Sequence, residues 1–122
     1  MLMPFLIAKI HRAVVTSTDL HYNGSIAIDE EIMEKANLRP FQQVEIYNIT
    51  NGNRFTTYCL PGPKGSKTFM INGAAARLAA AGDIIIVAVY GLVDESELNT
   101  RHSITLIMNS ENEVERIIQG KI

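Results

Sequence analysis

The sequence predicts a mainly β chain, closed into a small barrel and carrying two short helices. Three observations lead there. Apolar and β-branched residues fall into short runs, the clearest being the alternating Phe41-Gln42-Gln43-Val44-Glu45-Ile46-Tyr47-Asn48-Ile49. Asn-Gly pairs at 23–24 and 51–52 sit between such runs as turn signals. Helical patterning is confined to two brief stretches that do not alternate with strands as a βαβ chain requires, which leaves a closed β architecture. A length of 122 residues suits one domain, 1–122, with enough interior for a real core.

In chain order, Phe5 to Thr16 reads as a strand, with Lys9 and His11 on one face and Ala8 and Ile10 on the other. Asp19 to Ser25 reads as a hairpin turn between apolar strands, and Ile26-Ala27-Ile28 leaves it. Asp29 is the N-cap of a helix striped by Ile32, Met33 and Ala36, which Asn37 and Arg39-Pro40 end. Phe41 to Ile49 is a half-buried strand; Thr50 to Asn53 turns it into a returning strand, Arg54 to Leu60. Pro61 to Ser66 is a loop and Lys67 to Ile71 a short strand. Ala74 to Ala81 is alanine-rich and predicts the second helix, stopped by Gly82. Ile84 to Tyr90 is continuously apolar and predicts the most buried strand. Asp94 to Glu97 is a turn or short helical piece and His102 to Met108 a last strand. A polar tail follows, with helical character around Glu113 to Ile118.

Composition narrows the function. With 47% hydrophobic and 20% charged residues and a net charge of -2, the chain is neither disordered nor basic enough to track nucleic acid. The single cysteine, Cys59, forms no intrachain disulfide and fits a reducing, cytoplasmic setting. The apolar start lacks a basic n-region, and no apolar run is long enough to span a bilayer, so a soluble protein with no membrane partner is expected. His11, His21 and His102 lack metal-ligand spacing, so no metal is expected. Gly62-Pro63-Lys64-Gly65-Ser66-Lys67 has the wrong order for a phosphate loop, and no Gly-x-Ser-x-Gly elbow is present.

An enzyme built this way needs another source of reactivity, and Gly24-Ser25 offers one. Glycine tolerates strained backbone, so the Ser25 hydroxyl is able to attack the Gly24 carbonyl and exchange amide for ester. Elimination then leaves dehydroalanine, and its hydrolysis leaves a pyruvoyl group at residue 25. Such a group forms a Schiff base with an amino acid and acts as the electron sink usually imported as pyridoxal phosphate, which this chain then does not need. A substrate with two carboxylates calls for cations and a proton donor: Arg54 suits bidentate carboxylate binding, Lys9 adds a positive charge, and Tyr58 carries a hydroxyl.

The motifs His21-Tyr22-x-Gly24-Ser25-x-Ala27-Ile28-Asp29, Asn48-x-Thr50-Asn51-Gly52-x-Arg54-Phe55-x-Thr57-Tyr58 and Asn72-Gly73-Ala74-Ala75-Ala76 resemble, in content and order, the pyruvoyl-dependent aspartate 1-decarboxylase family. The resemblance spans roughly residues 5 to 92 and implies a double-psi β-barrel. It further implies a homotetramer with active sites between subunits, and cleavage into a β chain, 1–24, and an α chain, 25–122, unaided or with a maturation helper protein. The implied reaction converts L-aspartate to β-alanine and carbon dioxide, feeding pantothenate and coenzyme A synthesis. Ser25 is then the pyruvoyl precursor and Tyr58 the proton donor. Thr57 contacts substrate and assists cleavage, Lys9 and Arg54 bind carboxylates, and the backbone of Gly73, Ala74 and Ala75 lines the pocket. His11, Tyr22 and Asn72 match supporting pocket residues, as does Tyr47, which stands where many members have tryptophan. Two other readings stand beside this one: a non-enzymatic β-barrel interaction module, and an N-terminal nucleophile hydrolase in which Ser25 keeps its amine.

Overall fold

In the computed structural model, which describes residues 1–122, the barrel starts with β1 (Leu2–Val14) and β2 (Ser17–Asp19). Ala8, Ile10 and Ala13 point into the core while Lys9 and His11 lie half-buried on the outer face. A bulge at Arg12, whose φ is 70°, resets the alternation so that Ala13 and Val15 also face inward. Next come β3 (Ser25–Asp29), α1 (Glu30–Lys35), β4 (Gln43–Asn48), β5 (Arg54–Gly62) and β6 (Phe69–Asn72). A 3-10 turn (Gly73–Arg77) leads to β7 (Ile84–Asp94). A second 3-10 turn (Glu95–Glu97) precedes the hairpin of β8 (His102–Met108) and β9 (Val114–Lys121).

Strands lie side by side in the order β2-β6-β3-β5-β4-β7-β1-β8-β9. The first and seventh places belong to one stretch of chain, because β2 continues β1 after a break at Val15 and Thr16. Val15 N–H donates to the Asp83 carbonyl on the β7 side, and Thr16 N–H donates to Phe69 on β6, each at 2.9 Å. That continuity closes a six-membered ring of strands around Ile10, Ile26, Ile28, Ile46, Ile71, Ile85, Val87 and Phe69. The β8–β9 hairpin is added outside the ring, with β8 parallel to β1.

Two matched crossings define the topology. Successive strands β2 and β3 straddle β6, the first parallel and the second antiparallel to it. Successive strands β5 and β6 straddle β3 in the same sense. This is the double-psi pattern that the motifs imply. The connection at 20–24 therefore crosses the end of β6 and is not the hairpin that Asn23-Gly24 suggests: β2 and β3 never pair. Asp29 pins the other crossing. Its carboxylate accepts N–H bonds from Gly65 at 2.9 Å, Lys67 at 2.8 Å and Glu31 at 2.9 Å. Burial alone raises its pKa, but those donors and Ile32 N–H outweigh it and hold the carboxyl below its usual value.

Three local expectations change. The alanine run forms a 3-10 turn over Gly73–Arg77 and then irregular chain, so the barrel carries one short α-helix and two 3-10 turns. Leu78 N–H returns to the Ala75 carbonyl, three residues back, and the helix stops there. The tail around Glu113 to Ile118 is strand β9, because Asn109 and Asn112 turn the chain back along β8. Strand β3, with four of its five residues buried, is more enclosed than β7, whose outer face alternates to half-buried and exposed positions.

Candidate active site

Ser25 opens β3 opposite Asn72, the last residue of β6. It is only 1% exposed, and its Oγ accepts a 3.4 Å hydrogen bond from Asn72 Nδ2. Asn72 Oδ1 is buried and has no partner. An orphaned buried acceptor is costly, and here it lies beside the serine whose substituents would change on cleavage. Gly73 follows with φ +74°, and a Cβ built on it would meet Gly24 Cα at 2.5 Å, Gly24 N at 2.8 Å and the Tyr22 carbonyl at 3.2 Å. The absent side chain lets the Gly24 backbone rest on the start of the 3-10 turn. Gly24 itself is outside the positive-φ region, and a Cβ there would meet only the Asn72 carbonyl, at 3.9 Å. The positive φ therefore falls at Gly73, which as a glycine adopts it freely, and not at Gly24. These residues, with Asn72 as hydrogen-bonding neighbour, fit a pyruvoyl group derived from Ser25.

Parallel pairing sets Ile26 against Cys59, so one residue back Ser25 stands level with Tyr58. Alternation along β5 places Arg54, Thr56 and Tyr58 on the outer face. Phe55, Thr57 and Cys59 take the other face, Cys59 and Phe55 joining the core. Thr57 is half-buried beside Val44, on the face opposite Tyr58. The Tyr58 ring stacks on exposed Phe41 at 6.0 Å between centroids. Ala74 is exposed and Ala75 packs against the core. Tyr22 is exposed on the crossing loop.

The cationic residues form a separate row. Register places His11 opposite Ile86, Ile86 opposite Tyr47, and Tyr47 opposite Arg54. The neighbouring row runs Lys9, Ala88, Glu45, Thr56. The Arg54 guanidinium lies 4.3 Å over the Tyr47 ring, a cation–π contact that steadies it. Tyr47 and Tyr90 share a hydrogen bond between hydroxyls at 3.0 Å; with burial, that bond pushes the Tyr47 phenol up to about 12. His11 is held below its usual pKa by burial, then by Lys9 and Arg12, and its Nδ1 is buried without a partner. Lys9 has no ion pair within the chain.

No hydrogen bond or ion pair joins Lys9 or Arg54 to Ser25, Tyr58 or Asn72 within the chain. Lys9 is three strand spacings from β5, roughly 14 Å, and Arg54 stands four residues from Tyr58, again roughly 14 Å. Tyr58 and Arg54 line different cavities, one with Phe41, Gln43, Thr56 and Thr57, the other with Tyr47, Asn53 and Ile86 among others, and Ser25 lines neither.

Two features escape a reading of the sequence. Tyr90, at the end of an apolar run, gives no sign that its hydroxyl reaches Tyr47. The second is a cluster of asparagine amides. Asn48, Asn51 and Asn53 all donate to the Leu78 carbonyl, at 3.3, 3.0 and 3.1 Å. Asn48 also donates to Asp83 Oδ2 at 2.8 Å. This ties the turn that launches Arg54 to the segment that begins at Gly73. The repeated asparagines of 48–53 were the available signal, and turn propensity alone accounted for them.

Comparison with known proteins shows the family. The sequence model of the aspartate decarboxylase family matches residues 1–115. The aspartate 1-decarboxylase of Syntrophobacter fumaroxidans is 48% identical over 105 residues, covering 86% of this chain and 85% of that protein. That of Polynucleobacter asymbioticus is 46% identical over 112 residues, or 92% and 93% of the two chains. The Pelotomaculum thermopropionicum enzyme is 42% identical over 121 residues, or 99% and 92%. A chain matched almost end to end, with Ser25, Asn72 and Gly73 assembled at the crossing of a double-psi barrel, belongs to the aspartate decarboxylase family.

Proposed function

We propose that this chain decarboxylates L-aspartate at C1 to β-alanine, using a pyruvoyl group that it makes from Ser25. The observation that carries the reading is the buried Ser25 hydroxyl under the Asn72 amide, with Gly24 seated on Gly73. Ser25 Oγ adds to the Gly24 carbonyl, and the amide nitrogen leaves to give an ester. Loss of the Ser25 α-proton expels the Gly24 carboxylate, ending the 1–24 chain and leaving dehydroalanine on 25–122. Water then displaces ammonia to give the pyruvoyl terminus. Asn72 Nδ2 holds the hydroxyl in place, and Thr57 assists from the neighbouring strand.

The pyruvoyl group supplies an electron sink for the carbanion left when carbon dioxide departs. The chain's own residues bind and orient the substrate. Arg54 grips one carboxylate through paired N–H bonds while resting on Tyr47, and Lys9 offers a second positive charge. Backbone of Gly73, Ala74 and Ala75 forms the wall beside Ser25. The Tyr58 hydroxyl, level with residue 25, holds the proton that the product carbon receives. His11, Tyr22 and Asn72 complete the surroundings.

Since the Lys9–Arg54 rows stand apart from Ser25 and Tyr58, the cationic face of one subunit serves the Ser25 cluster of the next in a homotetramer. No helix is long and apolar enough to cross a membrane, and the one cysteine is a buried free thiol, which suits work in the cytoplasm.

Complementation tests the scheme. Ser25→Ala stays one uncut, inactive chain; Arg54→Ala is cut but loses on the order of a hundredfold in kcat/KM, as expected for a charge-assisted bidentate contact. Mixed subunits regain activity, up to about a quarter of sites under random assembly, because some interfaces pair an intact Ser25 with an intact Arg54. Mixtures no more active than their parents would place both residues in one subunit's site.

A further inference from the structure

We propose that Tyr90 is a positioning residue: its hydrogen bond fixes the Tyr47 ring on which the Arg54 guanidinium rests, and so sets where the substrate carboxylate is held. The proposal rests on the carboxylate-binding role given above to Arg54.

Tyr47 lies on β4 between Ile86 of β7 and Arg54 of β5. Tyr90 stands four residues beyond Ile86, roughly 14 Å along β7, yet the two hydroxyls are 3.0 Å apart. Both side chains must therefore lean along the sheet toward each other instead of standing away from it. Ala88 sits between them on the same face and is 1% exposed, although its register partners Lys9 and Glu45 are only half-buried. A small residue there leaves room for the tyrosines to lie down. The arrangement fixes Tyr47 at both ends, with Tyr90 on its hydroxyl and Arg54 on its ring face at 4.3 Å.

A flexible arginine loses rotamer freedom on binding a carboxylate, and a ring held in place bears part of that ordering in advance. Arg54 makes no ion pair within the chain, so the ring is its one recorded side-chain anchor. Removing the Tyr90 hydroxyl keeps the ring of residue 90 over Ala88 and deletes only the bond to Tyr47. The consequence belongs to substrate capture and not to chemistry at residue 25.

The test is a double-mutant cycle on the cleaved enzyme with aspartate as substrate. Tyr90→Phe raises KM about two- to fivefold, leaves kcat within about 30% of the parent, and leaves cleavage at Gly24-Ser25 complete. Tyr47→Phe alone raises KM by a similar factor, and adding Tyr90→Phe to it changes nothing further. An unchanged KM in Tyr90→Phe overturns the proposal. So does an equal rise in both backgrounds, which would mark a role independent of Tyr47, or a loss of cleavage or of kcat, which would mark a structural one. Arg54→Lys serves as control: if KM for aspartate does not rise, the carboxylate-binding role of Arg54 itself falls. If it rises while Tyr90→Phe is silent, only the present inference does.

Discussion

Gly73 shows how one missing side chain seats the Gly24-Ser25 bond. A Cβ at this position would lie 2.5 Å from Gly24 Cα and 2.8 Å from Gly24 N, both backbone atoms that cannot swing aside. Its φ of +74° is also strained for any L side chain. Gly73→Ala is therefore expected to push the Gly24-Ser25 bond away from Asn72 and slow cleavage on the order of tenfold, at a cost of about 1–3 kcal/mol. A time course of cleavage on denaturing gels measures it, and a rate equal to the parent would mean that the close approach is irrelevant to processing. The sequence points to candidate groups because the proposed chemistry demands particular types: a Gly-Ser bond, an arginine for a carboxylate, a tyrosine hydroxyl. What the sequence concealed is how they are distributed. Arg54 and Tyr58 sit within one motif, yet period-2 geometry spreads them roughly 14 Å along β5. Gly24 looked like the residue of unusual backbone, and the positive φ falls on Gly73.

Between elements, side chains do the tying that turns were expected to do. Asp29 caps α1 and at the same time clasps the β5–β6 crossing through Gly65 and Lys67 N–H groups. Its folded pKa lies below 3.8, so its stabilisation is fully present above pH 3.8 and is lost as pH falls through the folded value. Asp29→Asn is expected to cost about 2 kcal/mol at pH 7, because a neutral amide oxygen accepts these bonds more weakly. Urea denaturation at pH 7 and near pH 2 checks the sign: the gap between parent and variant closes in acid, whereas an equal gap at both would remove the carboxylate charge from the explanation. The strands themselves were legible from alternation, and β4 and β5 fall within a few residues of where the pattern puts them. The alanine run was not, because helix propensity is local. A positive φ at Gly73 and three asparagine amides on the Leu78 carbonyl come from elsewhere in the fold and override it. Strand β9 was missed for a similar reason: its apolar Ile117 and Ile118 are exposed, and it is held by main-chain pairing with β8.

At the scale of the molecule, closure of the barrel explains why the Gly24-Ser25 bond sits where it does. Because β1 runs on into β2 and pairs with β6, the chain must cross the end of β6 to reach β3, and Gly24-Ser25 is the last step of that crossing. The same closed barrel leaves Lys9, His11, Tyr47 and Arg54 on strands β1, β4 and β5, in rows that do not include Ser25, and the proposed homotetramer is the arrangement that would bring them together. No periodicity in a single sequence reveals a crossing of this kind, since turn signals at Asn23-Gly24 fit a hairpin equally well. The central claim, that Ser25 becomes the cofactor, is tested most directly by an intact mass spectrum of the purified, denatured protein. The account predicts two fragments, 1–24 and 25–122, with the larger lighter by one ammonia than a serine-started chain. A larger fragment at the full serine-started mass, or a single uncut chain that still releases carbon dioxide from aspartate, would contradict it.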